Sequence, residues 1–198
     1  MNDTAGGKKA RTQARLIEAA YEEVLEKGFA SASLDAIARR AGMTKGAIYS
    51  NYRDKAQLML AVRDAKQPRV RLRFEVGATL PRQMELLADS VSENLPRSAS
   101  ASRFVADYHR YASADGDFNV ALQAQYARMF DRGAAFFAAY ADELTVTPHT
   151  FAVMVQLLIQ GLMYQSVLTP DVVSEQVIRQ AFLALSEGAR RRSGAENA

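Results

Sequence analysis

Apolar residues recur along most of this chain every three or four positions, the spacing of an amphipathic α-helix, and the strict alternation of a half-buried strand is scarce. A first helix is expected over about residues 9–27, with Ala14, Ile17, Ala20, Tyr21 and Leu25 as its apolar stripe and Gly28 as a cap just past its end. Ser33 precedes a second helix over 34–41, Gly42 ends it, and Thr44 opens a third that stops near Asn51. Asp54 opens a fourth, which reaches about Lys66 and is interrupted or ended by Pro68, with residues 70–76 leading on to Gly77. Pro81 begins a helix carrying Met84, Leu87 and Val91 that ends before Pro96, and 97–102 reads as a loop. Further helices are expected over about 103–114, 118–144 and 148–168, with a last one begun by Pro170 and Asp171. The expectation is an all-α fold of about nine helices.

Composition narrows the class. Of 198 residues, 48% are apolar and 24% charged, the balance of a soluble globular protein. No stretch approaches the roughly 20 apolar residues that cross a bilayer, and residues 1–10 are polar and lysine-bearing, unlike a signal peptide. The absence of cysteine excludes disulfides, thiolate metal sites and cysteine nucleophiles. A cytoplasmic address with no membrane partner is the simplest expectation. The net charge of +3 hides a division: residues 1–73 carry 15 Lys+Arg against 8 Asp+Glu, while 74–198 carry 10 against 14. A basic first part suits a polyanionic partner.

The chemistry concentrates in residues 33–55. Two short helices meet at a tight turn in which Gly42 supplies backbone freedom, with Leu34, Ile37, Ala38 and Met43 packing the pair and Ile48 and Tyr52 closing the core. The second helix is left with Thr44, Lys45, Gly46, Ala47, Tyr49 and Asn51 outward. That short, polar, unhindered face suits a DNA major groove. Lys8, Lys9 and Arg11 add a flexible basic arm that could follow a groove or backbone.

These residues resemble the DNA-binding domain of the tetracycline-repressor (TetR) family. The likeness rests on linked blocks: Ile17-Glu-Ala-Ala20, Lys27-Gly-Phe29, Leu34-Asp-Ala-Ile-Ala38, Ala41-Gly-Met-Thr-Lys-Gly-Ala-Ile-Tyr49 and Tyr52-Arg-Asp-Lys55. It implies a three-helix helix-turn-helix domain over 9–55 and a helical effector-binding and dimerisation domain over 56–192. It further implies that Ser33 and Thr44 cap helices and touch phosphates, and that Lys45, Gly46 and Ala47 meet base edges. Tyr49, Asn51 and Lys55 would hold the DNA backbone. The family often places an aromatic residue or histidine at the position of Asn51 and phenylalanine at that of Tyr52.

One reader makes few base contacts, so a homodimer is expected through the last two helices. Phe151, Val155, Leu158 and Leu162 would meet Ile178, Phe182 and Leu185 there. A small apolar or amphipathic effector is expected among aromatic and methionine side chains of the middle helices. Phe104, Tyr108 and His109 lie on one of these; Tyr126, Phe130 and Phe137 on the next; Met154, Met163 and Tyr164 on the following one. Such stripes at helical spacing are more often core than pocket. Only two histidines, no glycine-rich phosphate loop and no metal-spaced histidine–carboxylate motif argue against an enzyme, and no cofactor or metal is expected. The function implied is a ligand-released repressor on palindromic operator DNA. A helix-turn-helix activator or an architectural DNA-binding protein without a ligand is the alternative.

Overall fold

The computed structural model describes residues 3–66, 71–95 and 99–190. Pro68, Val70, Pro96 and Arg97, where the sequence reading sets two helix stops and the starts of a connecting segment and a loop, lie outside them. The described residues form nine α-helices, one 3₁₀ turn and no strand: α1 (Asp3–Ser31), α2 (Leu34–Arg40), α3 (Lys45–Tyr49), α4 (Lys55–Lys66), α5 (Leu80–Asn94), α6 (Ala99–Ala114), α7 (Gly116–Phe137), α8 (Pro148–Leu168) and α9 (Glu175–Ala189). The all-α expectation holds.

Side-chain caps explain most of the boundaries. Ser33, Thr44, Asp54, Thr79, Asp115, Thr147 and Ser174 each accept a hydrogen bond from a backbone N–H three residues on, satisfying a donor that a helix start leaves orphaned. Four expectations need correction. The basic residues Lys8, Lys9 and Arg11 are not a flexible arm but exposed positions within α1. Residues 99–102 belong to α6 rather than a loop. α7 gives way at Phe137 to a 3₁₀ turn over Ala138–Tyr140, well before Leu144. α9 starts not at Pro170 but beyond a turn, where Ser174 offers the cap that proline lacks.

The chain packs as two compact units: Met1–Gln67 with Arg103–Gln125, and Pro68–Ser102 with Tyr126–Ala198. This division by packing falls elsewhere than a cut at residue 55, because α4, α6 and the first part of α7 join the first unit.

In the first unit, Leu16, Ala19, Ala20 and Val24 of α1 are buried with Ile37, Ala38, Ile48, Leu58, Met59 and Val62. Ala14 and Leu25, expected in the apolar stripe, are exposed. The face is turned because Glu23 occupies a core position, 2% exposed, and is neutralised there by Lys27 at 2.7 Å and Arg40 of α2 at 3.1 Å. At Gly28 the helix kinks (φ 81°, ψ 161°), a backbone state open to glycine almost alone. The Phe29 N–H beyond the kink donates to Asp107 Oδ2 of α6 at 2.8 Å. The Phe29 ring then sits among Phe104, Tyr108, Tyr111 and Phe118, with centroids 5.2–6.4 Å away. Offset and edge-on pairs of this kind add about 0.5–1.5 kcal/mol each beyond their burial.

In the second unit, Leu80, Met84, Leu87 and Val91 of α5 meet Phe137, Tyr140, the α8 face and the α9 face in one core. Phe151, Val155, Leu162, Ile178 and Phe182 all lie inside it. These residues, expected at a dimer seam, are buried in the unit's own core. Leu158 and Leu185 are partly buried against the same cluster.

Candidate nucleic-acid interface and ligand cavity

The turn between α2 and α3 is built from backbone hydrogen bonds. Met43 N–H donates to Ala38 O at 2.9 Å and Gly42 N–H to Arg39 O at 3.0 Å, the paired closure of a Schellman motif with Gly42 in the left-handed region (φ 62°). Arg15 of α1 donates to Ala41 O at 2.7 Å and fixes this corner to the rest of the unit. Ile48 and Tyr52 are buried beneath α3 as the sequence reading expects. Thr44, Lys45, Gly46 and Tyr49 remain exposed and Ala47 half-buried, so that the cap and all of α3 except Ile48 are accessible at least in part.

Charges on that face are partly engaged. Lys45 Nζ pairs with Asp35 Oδ2 of α2 at 3.0 Å, and the carboxylate raises the lysine pKa above its ordinary value. Both partners are exposed, so the pair is weak and exchangeable. Asn51 donates from Nδ2 to Ala47 O at 2.8 Å. Lys55 Nζ donates to Ala30 O at 3.1 Å and lies 5.3 Å from the centroid of the Tyr111 ring, where desolvation lowers its pKa. Asn51 and Lys55 thus make hydrogen bonds within the unit, whereas Ser33, Thr44, Lys45, Gly46 and Tyr49 are exposed.

The expected pocket residues divide. Phe104 and Tyr108 are core around Phe29, and His109 is exposed with its ring stacked 4.2 Å from that of Tyr108. Desolvation first and the Arg63 charge second hold the His109 pKa below its ordinary value. A separate cavity of about 310 Å³ lies wholly in the second unit. Phe130 and Phe137 line it as expected, joined by Met129, Phe136, Val155 and Ile159, with Leu72 and Phe74 from the segment before α5. Tyr126, Met154, Met163 and Tyr164 are not among its walls; Tyr126 stacks on Phe130 instead, at 6.1 Å. Leu72 and Phe74 lie in a segment without regular secondary structure, where no periodicity in the sequence announces them. Ser90 anchors that segment by accepting from Arg73 N–H at 2.9 Å, and Tyr140 by donating to Ala78 O at 2.8 Å.

On the outer face of α8, Leu157 is 59%, Tyr164 46% and Leu168 58% exposed, with exposed Gly161 between them. Exposed Val177, Ala184 and Gly188 continue an open apolar and small-residue face on α9. Among the described residues no group of histidine and carboxylate side chains could hold a metal ion, and no helix is long and apolar enough to cross a membrane.

Residues 16–62 match the family described as bacterial regulatory proteins, tetR family. The HTH-type transcriptional regulator SrpR of Pseudomonas putida is 36% identical over 74 residues, 37% of this chain and 35% of SrpR. The uncharacterised HTH-type transcriptional regulator TtgW, also of Pseudomonas putida, is 36% identical over 74 residues, 37% of this chain and 55% of TtgW. The matched stretch thus spans between about a third and about half of these curated relatives. In fold, the chain is similar to NalD, the secondary repressor of the MexAB-OprM multidrug efflux pump in Pseudomonas aeruginosa. That match has a TM-score of 0.68 at 22% identity and covers 94% of this chain and 100% of NalD.

Proposed function

The chain belongs to the tetR family of bacterial regulatory proteins, and on that footing we propose that it is a repressor that binds palindromic operator DNA as a dimer and is released by a small molecule. Members of this family are regulators, and the chain is not an enzyme. The observation that carries the proposal is the exposed surface of α3, held by the Schellman turn at Gly42 and bearing Tyr49 as its one large exposed hydrophobic side chain. Lys45, Gly46 and Ala47 are assigned to base edges, Lys45 to a guanine acceptor pair and the Ala47 methyl to a thymine methyl. Ser33, Thr44 and Tyr49 are assigned to backbone phosphates.

The dimer is assigned to the exposed faces of α8 and α9, not to the residues their core consumes. Leu157, Gly161, Tyr164 and Leu168 follow one another by four, three and four positions, the spacing of a helix–helix seam. The effector is assigned to the cavity in the second unit, since an apolar, aromatic hollow of this size is the usual build of a small-molecule site. α7 supplies Phe118 to the first unit's core and Phe130 and Phe137 to the cavity. A ligand that favours one of two arrangements of this helix would shift the DNA-binding equilibrium by its differential affinity for them.

Selection of bound sequences from random duplex DNA tests the reading. A palindrome with half-sites about one helical turn apart, or a near multiple, is the expected outcome. Enrichment of no sequence would leave an architectural DNA-binding protein as the better account.

A further inference from the structure

Resting on the reading of the cavity as an effector site, we infer that it selects flat aromatic compounds carrying a carboxylate or similar anionic group, and discriminates against aromatic cations. Phe74, Phe130, Phe136 and Phe137 supply ring walls, with Phe74 and Phe136 only 4.3 Å apart and Phe136 edge-on to Phe137 at 5.0 Å. Rings set at such angles offer both a face and an edge to a guest ring. α7 and α8, which both line the cavity, come close together at Gly133. A methyl group added there would stand 2.9 Å from the Ala152 side chain, so the cavity has little depth at this crossing. A flat guest fits such a space better than a round one.

The charge preference follows from what is absent as much as from what is present. Arg132 and Gln156 are the polar members of a lining that contains no carboxylate. Among the described residues, no carboxylate lies within ion-pair distance of Arg132; the neighbouring Asp131 faces His149 instead, at 4.0 Å. An aromatic cation entering this cavity would lose water beside a like charge with no counter-charge to replace it. An aromatic carboxylate would meet a guanidinium fork that can accommodate both its oxygens, with the Gln156 amide as a further donor. The ring walls hold the body of the guest and the arginine at the rim sorts its head group.

Three probes with one ring system isolate the charge: 2-naphthoate, 2-naphthylmethanol and 2-naphthylmethylammonium, titrated calorimetrically into the full chain. The expected order of affinity is anion, neutral, cation, with about fivefold or more between the ends because Arg132 is exposed and screened. Arg132→Gln keeps a donor and removes the charge; it should bring the three within about twofold while leaving the neutral probe unchanged. Added salt should weaken the naphthoate alone. A cation bound as tightly as the anion, or the same order in Arg132→Gln, overturns the charge preference and leaves the effector cavity standing. Met129→Trp fills the space, retains both Arg132 and Gln156, and should abolish all three signals. If no probe binds the parent chain, or if Met129→Trp binds as the parent does, the effector reading fails and the preference with it.

Discussion

Lys45 is the side chain on which the proposed base recognition most depends, and its resting partner is Asp35, not solvent. An exposed pair of this kind is screened by solvent and weak beside a charge-assisted contact with a guanine edge. In the proposed complex Asp35 would compete with DNA for the lysine and add its own repulsion toward phosphate. Asp35→Asn should tighten DNA binding by about threefold and steepen its salt dependence, while Lys45→Ala should relax sequence preference with the dimer intact. Fluorescence anisotropy across a salt series, with specific and scrambled duplexes, measures both. Weaker binding by Asp35→Asn would mean that the carboxylate positions the lysine rather than withholding it.

At the scale of elements, the strongest tie between α1 and α2 is a buried carboxylate. Glu23 accepts from Lys27 on its own helix and from Arg40 on the next, and these partners hold its pKa below the ordinary 4.5. A lowered folded-state pKa gives stability that is fully present above about pH 4.5 and lost as the pH falls from there through the folded-state value. Glu23→Gln should cost about 1–3 kcal/mol at neutral pH, where the charge is removed from a buried hydrogen-bonded site. The gap in melting temperature between parent and variant should close as the pH drops below 4.5. A gap that persists at acid pH would assign the loss to packing instead. The same carboxylate shows where periodicity misleads. A core position filled by glutamate turns the expected stripe of α1 away from Ala14 and Leu25, and only its partner Arg40, distant in sequence, reveals why. The α2–α3 pair is legible because its signals are local: Ser33 and Thr44 cap within three residues, and Gly42 closes the turn within five. Phe104 and Tyr108 are not, because an aromatic stripe looks the same whether it lines a pocket or packs on Phe29, 75 residues earlier than Phe104. α8 is apolar on more than one side, so its sequence announces two burials without saying which face meets which.

For the whole molecule, the proposed burial of the outer α8 face against a second copy would decide whether the chain can recognise a palindromic operator at all. α3 is only five residues long and presents few base-reading groups, so selectivity requires a second copy at a fixed distance, about 34–36 Å or a near multiple for successive turns of DNA. The core takes Phe151, Val155, Leu162, Ile178 and Phe182, and leaves Leu157, Tyr164, Leu168 and Val177 bare. Gly161, midway along that stripe, has no atom within 4 Å of where a Cβ would stand, so a partner helix in the proposed dimer could approach closely. Leu157→Asp places a charge on this face without disturbing the core, so the chain should keep its helicity and melting temperature while sedimenting as a monomer. Operator affinity should fall by about a hundredfold or more, to the level of a single half-site, because the two readers no longer bind as one body. Phe182→Asp supplies the contrast: a charge in the core, 0% exposed in the parent, should unfold the second unit itself. A Leu157→Asp chain that still sediments as a dimer would move the seam to another face, and the half-site spacing would then have to be set by helices other than α8 and α9.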